Sequence, residues 1–178
     1  MPILIFRDED AFSRSLNKVL FACLFSSFTF DYLARQKITV GNLNKFVLMQ
    51  IAAPTPDRFK STVLRYSNVE MSAEEWILQK SALLFGVTES ILPVLSPFGI
   101  ANVSKWDSDR RFDASCLVDA VIAHVYGLSR NEYEYIMTQF PIFQSQEEEA
   151  YGKYLSLSRC LAYFDEIEKV ESAYNVTG

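Results

Sequence analysis

The chain is poor in the residues from which the common reactive centres are built. Its 178 residues include one histidine, three cysteines and six glycines. A structural or catalytic zinc needs nitrogen or sulfur ligands in close pairs, which a single histidine and three scattered cysteines do not provide. Cys23, Cys116 and Cys160 are odd in number and far apart, which argues against a disulfide framework and for a reducing, cytoplasmic setting. The glycines never fall two apart, so there is no G-x-G turn to bring backbone against a nucleotide-like cofactor. No lysine has an acid two residues before it, as a common metal-dependent nuclease motif requires, and no G-x-S-x-G elbow occurs. The longest apolar-looking run, Val19 to Phe30, is broken by Ser26 and Ser27 and falls well short of the roughly 20 residues that span a bilayer. Arg7, Asp8, Glu9 and Asp10 follow a short apolar start, which is not the pattern of a secretory signal. The expectation is a chain with no catalytic residues, no metal, no cofactor and no membrane span.

Positive charge is also scarce. The net charge is −5 and the pI near 5.0, a poor match to a nucleic-acid binder taken as a whole. The distribution is uneven. Between Arg14 and Arg65 lie eight basic and two acidic residues, a local charge of +6. From Met71 onward eight basic residues meet sixteen acidic ones, a local charge of −8. The first third can face phosphates, and the remainder is an acidic surface.

What is abundant is apolar and aromatic surface, at 49% and 14% of residues, enough for a packed core. Met1 to Phe6 is read as a short strand. Asp10 caps a helical pattern (Phe12, Leu16, Val19, Leu20, Cys23, Leu24) that breaks near Ser26-Ser27 and resumes to about Gln36. Ile38 to Val40 is short and β-branched, Gly41-Asn42 is a turn, and Asn42 or Asn44 caps a short helix to about Met49. Ala52 to Pro56 is an extended connection and the best boundary in the chain, dividing a segment 1–56 from a helical segment 57–178. Arg58 to Tyr66 suits strand or helix and is read as helix. Ser72 and Glu75 form a capping box for a helix ending at Gly86. Thr88 to Leu95 is a further short helix, and Phe98 to Ser104 a loop. Tyr174 to Gly178 is a frayed end. The sum is mainly α, a helical bundle-like domain with a small strand element near the N-terminus.

Three helices are predicted from Lys105 onward. Asp107 or Asp109 caps the first, whose stripe runs through Leu117, Ala120, Val121, His124 and Val125 to a left-handed cap at Gly127. Ser129 and Glu132 open the second, which Pro141 ends. The third starts near Ser145 or Gln146, with Glu147, Glu148 and Glu149 complementing its dipole and Tyr151, Tyr154, Leu155, Leu161, Phe164 and Ile167 facing inward. His124 is expected to be a core histidine with a hydrogen-bonded tip, and Asp119 a structural ion pair with Arg110 or Arg111. Tyr133, Tyr135, Tyr151 and Tyr154 are expected to be core or half-buried.

An ordered set of short motifs runs through this region. It comprises Trp106-Asp107-x-Asp109-Arg110-Arg111-Phe112, Asp119-Ala120, Tyr126-Gly127-Leu128-Ser129, Tyr135-Ile136, Phe140-Pro141-Ile142 and Tyr151-Gly152-x-Tyr154. Together they resemble the C-terminal tail of fused type II restriction-modification proteins with an adenine-N6 DNA methyltransferase, and of related phage-defence methyltransferases. Phe30-Asp31-Tyr32-x-Ala34-Arg35-Gln36-Lys37, Leu43-Asn44-x-Phe46, Gln50-Ile51 and Pro54 resemble the end of the target-recognition region that precedes that tail. The likeness covers roughly residues 20 to 165. In the family the last helix usually opens with basic residues and carries an Arg-Thr-Lys-Arg run. Here Gln144 to Glu149 and Leu155 to Arg159 remove most of that charge.

The methyltransferase motif, Asn/Asp/Ser-Pro-Pro-aromatic, is absent, since the chain has no Pro-Pro pair, and Ser96-Pro97-Phe98 is an isolated echo. The resemblance therefore implies a non-catalytic DNA-recognition or scaffold domain on duplex DNA, acting with a catalytic methyltransferase or nuclease region or subunit. Arg35, Lys37, Asn42, Asn44 and Lys45 are the candidate DNA contacts, because Arg and Lys suit phosphate and guanine and Asn suits adenine. The alternative is a protein-protein interaction module with an acidic helical surface and no DNA binding. A homodimer is a further expectation, if the edge of the Met1 to Phe6 strand is left unpaired.

Overall fold

A computed structural model describes residues 10–38 and 45–170. The protein is mainly α, and its helices begin where side chains can satisfy the free N–H groups of a first turn. Asp10 accepts from Ser13 N at 2.8 Å and opens α1 (Ala11–Phe25). Ser27 accepts from Phe30 N at 3.2 Å and opens α2 (Phe28–Lys37). After α3 (Lys45–Leu48), Pro56 stands in the first turn of α4 (Pro56–Ser61), where its missing N–H costs nothing.

The next element departs from the helix expected over Arg58 to Tyr66. Only Pro56–Ser61 is helical, and β1 (Val63–Tyr66) follows it. β1 turns back into β2 (Val69–Ser72) through Ser67 and Asn68, both with positive φ (49° and 62°). Two consecutive positive-φ residues form the hairpin turn whose twist matches paired strands. β3 (Glu168–Lys169) joins the other edge of β1, so the strand order is β2-β1-β3, all antiparallel. The Trp76 indole N–H donates to Leu64 O at 3.2 Å and ties this small sheet to α5 (Ala73–Phe85). The Ser72–Glu75 capping box expected at the start of α5 is present. α6 (Leu92–Leu95), flanked by short 3₁₀ turns, and an irregular stretch lead to the centre of the fold.

That centre is α7 (Ser108–Tyr126), opened by Asp107 and closed by Gly127 in the left-handed region at φ 79°. Ten of its residues are buried, among them the continuous run Cys116–Ala123. A helix buried on all sides must be surrounded, and α5 and α10 (Leu155–Glu166) are its main neighbours. α8 (Arg130–Thr138) starts at the Ser129–Glu132 capping box and buries Tyr133, Ile136 and Met137. The core draws on Leu20, Phe30 and Ile51 before Pro56 as well as on Leu64, Ile77 and Ile122 after it.

The third helix expected after Lys105 is two helices. Pro141 does not only end α8; it is the first residue of α9 (Pro141–Tyr151). Gly152, at φ 72°, then reverses the chain into α10. Glu147, Glu148 and Glu149 therefore lie in the second half of α9 and not in a first turn. Tyr133 and Tyr154 are buried, whereas Tyr135 and Tyr151 are exposed. The strand expected at Met1 to Phe6, the turn at Gly41-Asn42 and the end from Tyr174 lie outside the described residues.

Candidate functional site

Two places on the fold concentrate chemistry. The first holds the residues expected to meet DNA. Arg35 and Lys37 occupy the last turn of α2, where cations suit the helix dipole. Lys45 is the first residue of α3, which packs beside α2. Asn42 and Asn44 lie outside the described residues. Lys37 and Lys45 are exposed. Arg35 is engaged: its Nη2 sits 2.9 Å from Asp31 Oδ2, and its guanidinium lies 4.8 Å from the centre of the Phe140 ring. The hydrogen bond to Asp31 raises the Arg35 pKa further. Two other cations of the basic third serve the fold. Arg58 Nε donates to Val125 O at 3.3 Å, and Arg65 pairs with both Glu70 and Glu168.

The second place is a cleft of about 520 Å³ where the joint between α1 and α2 meets α5, α7, α9 and α10. Asp119 and Glu147, both buried, face this cleft. Asp119 does not pair with Arg110 or Arg111 as expected. Its Oδ1 accepts from the Tyr133 hydroxyl at 2.7 Å and its Oδ2 from Phe28 N at 3.0 Å. It thereby joins α7 to α8 and supplements Ser27 at the start of α2. Arg111 turns the other way, donating to Leu83 O at 2.6 Å and stacking over Trp106. Burial pushes the Asp119 carboxyl up to about 6, against the two hydrogen bonds that favour its charged form.

Glu147 does for α10 what Asp119 does for α2. Its two oxygens accept from Ser156 N at 2.7 Å and Ser156 Oγ at 2.6 Å, satisfying the first turn of α10. Three side chains reach in from the other walls. Cys116 and Cys160 sit together on α7 and α10; the neighbouring Cys116 thiol and burial push the Cys160 thiol far up. Cys23 is pushed to about 12 by burial alone. Cys23 and Cys160 stay protonated, which makes them weak nucleophiles. His124 lies outside the cleft, its ring stacked on Phe164 at 4.0 Å and its Nε2–H donating to Phe164 O at 3.1 Å. Burial lowers its pKa, so it is a neutral core histidine, as its place on the apolar stripe suggests.

Among the described residues no group of three or more His, Cys, Asp or Glu is placed to hold a metal ion, and no helix is long and apolar enough to cross a membrane. Sequence reasoning did not find the cleft, because it is assembled from residues on six helices. The signals that were present, Asp119 within an apolar run and Glu147 nine residues before Ser156 across the turn at Gly152, carry no local pattern that pairs them. Comparison with family models, with curated proteins and with solved structures finds no match.

Proposed function

We propose that the chain is a non-catalytic DNA-recognition or scaffold domain that works beside the catalytic region of an adenine-N6 DNA methyltransferase or restriction-modification protein. The observation that carries this reading is the ordered set of motifs from Phe30 to Tyr154, which resembles the end of such proteins. Its members fall at joints of the fold: Asp107 caps α7, Gly127 closes it, Ser129 opens α8, and Pro141 and Gly152 bound α9. Motifs that set helix ends fix the relative placement of helices, which suits a domain that orients a recognition surface. The DNA-facing part of this reading is the basic corner of Lys37 and Lys45, with Arg35 held ready by Asp31. The half from Met71 onward carries a net charge of −8 and is assigned no phosphate contact on this reading. The test is binding to a random-sequence duplex across a salt series, comparing the wild type with Lys37→Ala/Lys45→Ala.

A second reading has its own observation. Phe46, within the short α3, and Met49, just after it, are 75% and 76% exposed, and Ile142 is 75% exposed at the start of α9. Large apolar side chains left in water mark surfaces that meet a partner chain. On this reading the protein is an interaction module, with a second copy or a catalytic subunit as the partner. Light scattering at rising concentration separates the two occupants: dimer formation that Phe46→Ser/Met49→Ser abolishes selects the second copy.

A further inference from the structure

The cleft beside Asp119 and Glu147 is not needed for the DNA-facing role, and its chemistry is of a different kind. Its volume of about 520 Å³ lies in the range that holds small ligands. Its walls are aromatic, with Phe25, Phe28, Phe112 and Phe143 among the rings that line it. Two buried carboxylates lie on this apolar surface, and among the described residues neither has an ion pair. Asp119 and Glu147 each accept two hydrogen bonds, and a carboxylate offers about four acceptor positions, so both retain capacity. Arg111, the cation on the wall, is committed to the carbonyl at the end of α5 and to Trp106. Buried carboxylates without a cationic partner are costly, and a positive group supplied from outside offsets that cost. Aromatic faces add attraction for the same kind of group.

We propose that this cleft binds a small organic cation, a protonated primary amine carried on an aromatic or branched aliphatic body. The apolar body lies against the phenylalanine rings, and the ammonium donates to the free positions of Asp119 and Glu147. An anion of the same shape is repelled by both carboxylates. A neutral alcohol of the same shape keeps the apolar contact and loses the charge-assisted bonds. The selectivity among three probes of one shape is therefore the signature.

The experiment is a titration of the isotope-labelled full chain, followed by amide chemical shifts, with phenethylammonium, phenethyl alcohol and phenylacetate. The expected result is saturable shifts at Phe28, Asp119 and Glu147 with the amine, and at least about tenfold weaker binding of the other two probes, the size of one charge-assisted bond. Asp119→Asn is expected to weaken the amine by about tenfold and to leave the alcohol unchanged. Should that variant lose its folded spectrum, Phe143→Ala at the exposed rim serves instead, and is expected to weaken the amine and the alcohol alike. Equal binding of the three probes, absence of saturable shifts in the cleft, or amine binding indifferent to these substitutions overturns the proposal. None of these outcomes bears on DNA binding, so this site and the proposed function succeed or fail separately.

Discussion

The Tyr133 hydroxyl donates to Asp119 Oδ1 at 2.7 Å inside the core, and among the described residues no arginine or lysine pairs with Asp119. The bond links α8 to α7, and the other carboxylate oxygen carries the link on to the first turn of α2. Removing the hydroxyl leaves a buried carboxylate short of a donor. Tyr133→Phe is therefore expected to cost about 2 kcal/mol, the penalty of an unsatisfied buried acceptor. Asp119→Ala is expected to cost more, about 3 kcal/mol, because it strands two donors and opens a void. Urea unfolding followed by circular dichroism measures both.

The same carboxylate makes stability depend on pH. Its folded pKa of about 6 stands above the value of 3.8 of a free aspartate. The folded state therefore holds the proton more tightly, and the contribution from this group is complete below pH 3.8 and lost as pH rises through about 6. The size of the loss is about 3 kcal/mol, from the energy of each pKa unit. Asp119→Asn removes the titration. The difference in unfolding free energy, wild type minus Asp119→Asn, is expected to fall by about this amount between pH 4 and pH 7. A difference that stays flat across that window contradicts the assignment.

Glu147 predicts a contrast within one run of three identical residues. Glu147→Ala strips the Ser156 N–H and hydroxyl of their acceptor at a buried helix start, at a cost of about 2 kcal/mol. Glu149→Ala, on the exposed side of α9, is expected to stay within about 0.5 kcal/mol of wild type. Similar effects at the two positions would mean that Glu147 does not cap α10.

Gly152 turns the chain between α9 and α10 at φ 72°, with nothing within 4 Å of where a Cβ would stand. The cost of a side chain there is thus conformational and not steric. Gly152→Ala is expected to destabilise by about 1 kcal/mol, and Gly152→Asn, which tolerates this region better, by less. Thermal unfolding of the two variants gives the order.

Much of the helical frame was legible because helix ends are set by residues three apart. Asp10, Ser72 and Ser129 announce their helices within one turn, and Gly127 announces an end. The features that were misread depend on information from further away. Phe140-Pro141 looks like a stop, yet the same proline opens the next helix because Phe140 leaves the helical region just ahead of it. The β-hairpin at Ser67-Asn68 has no glycine to mark it, and β1 is held by β3 more than ninety residues downstream. Arg110 and Arg111 stand near Asp119 in sequence, but α7 places them more than two turns away, while Tyr133 arrives from α8. The basic corner was legible as charge; that Asp31 and Phe140 hold Arg35 was not.

The central claim is that the basic corner at the end of α2 and the start of α3 meets duplex DNA. The direct measurement is the affinity of the chain for a random-sequence duplex as salt is raised, with Lys37→Ala/Lys45→Ala alongside. Phosphate contact predicts that affinity falls steeply with salt, and that the variant binds more weakly with a slope reduced by about one for each lysine that touches a phosphate. Absence of binding at low salt, or binding that the double substitution leaves untouched, contradicts the claim.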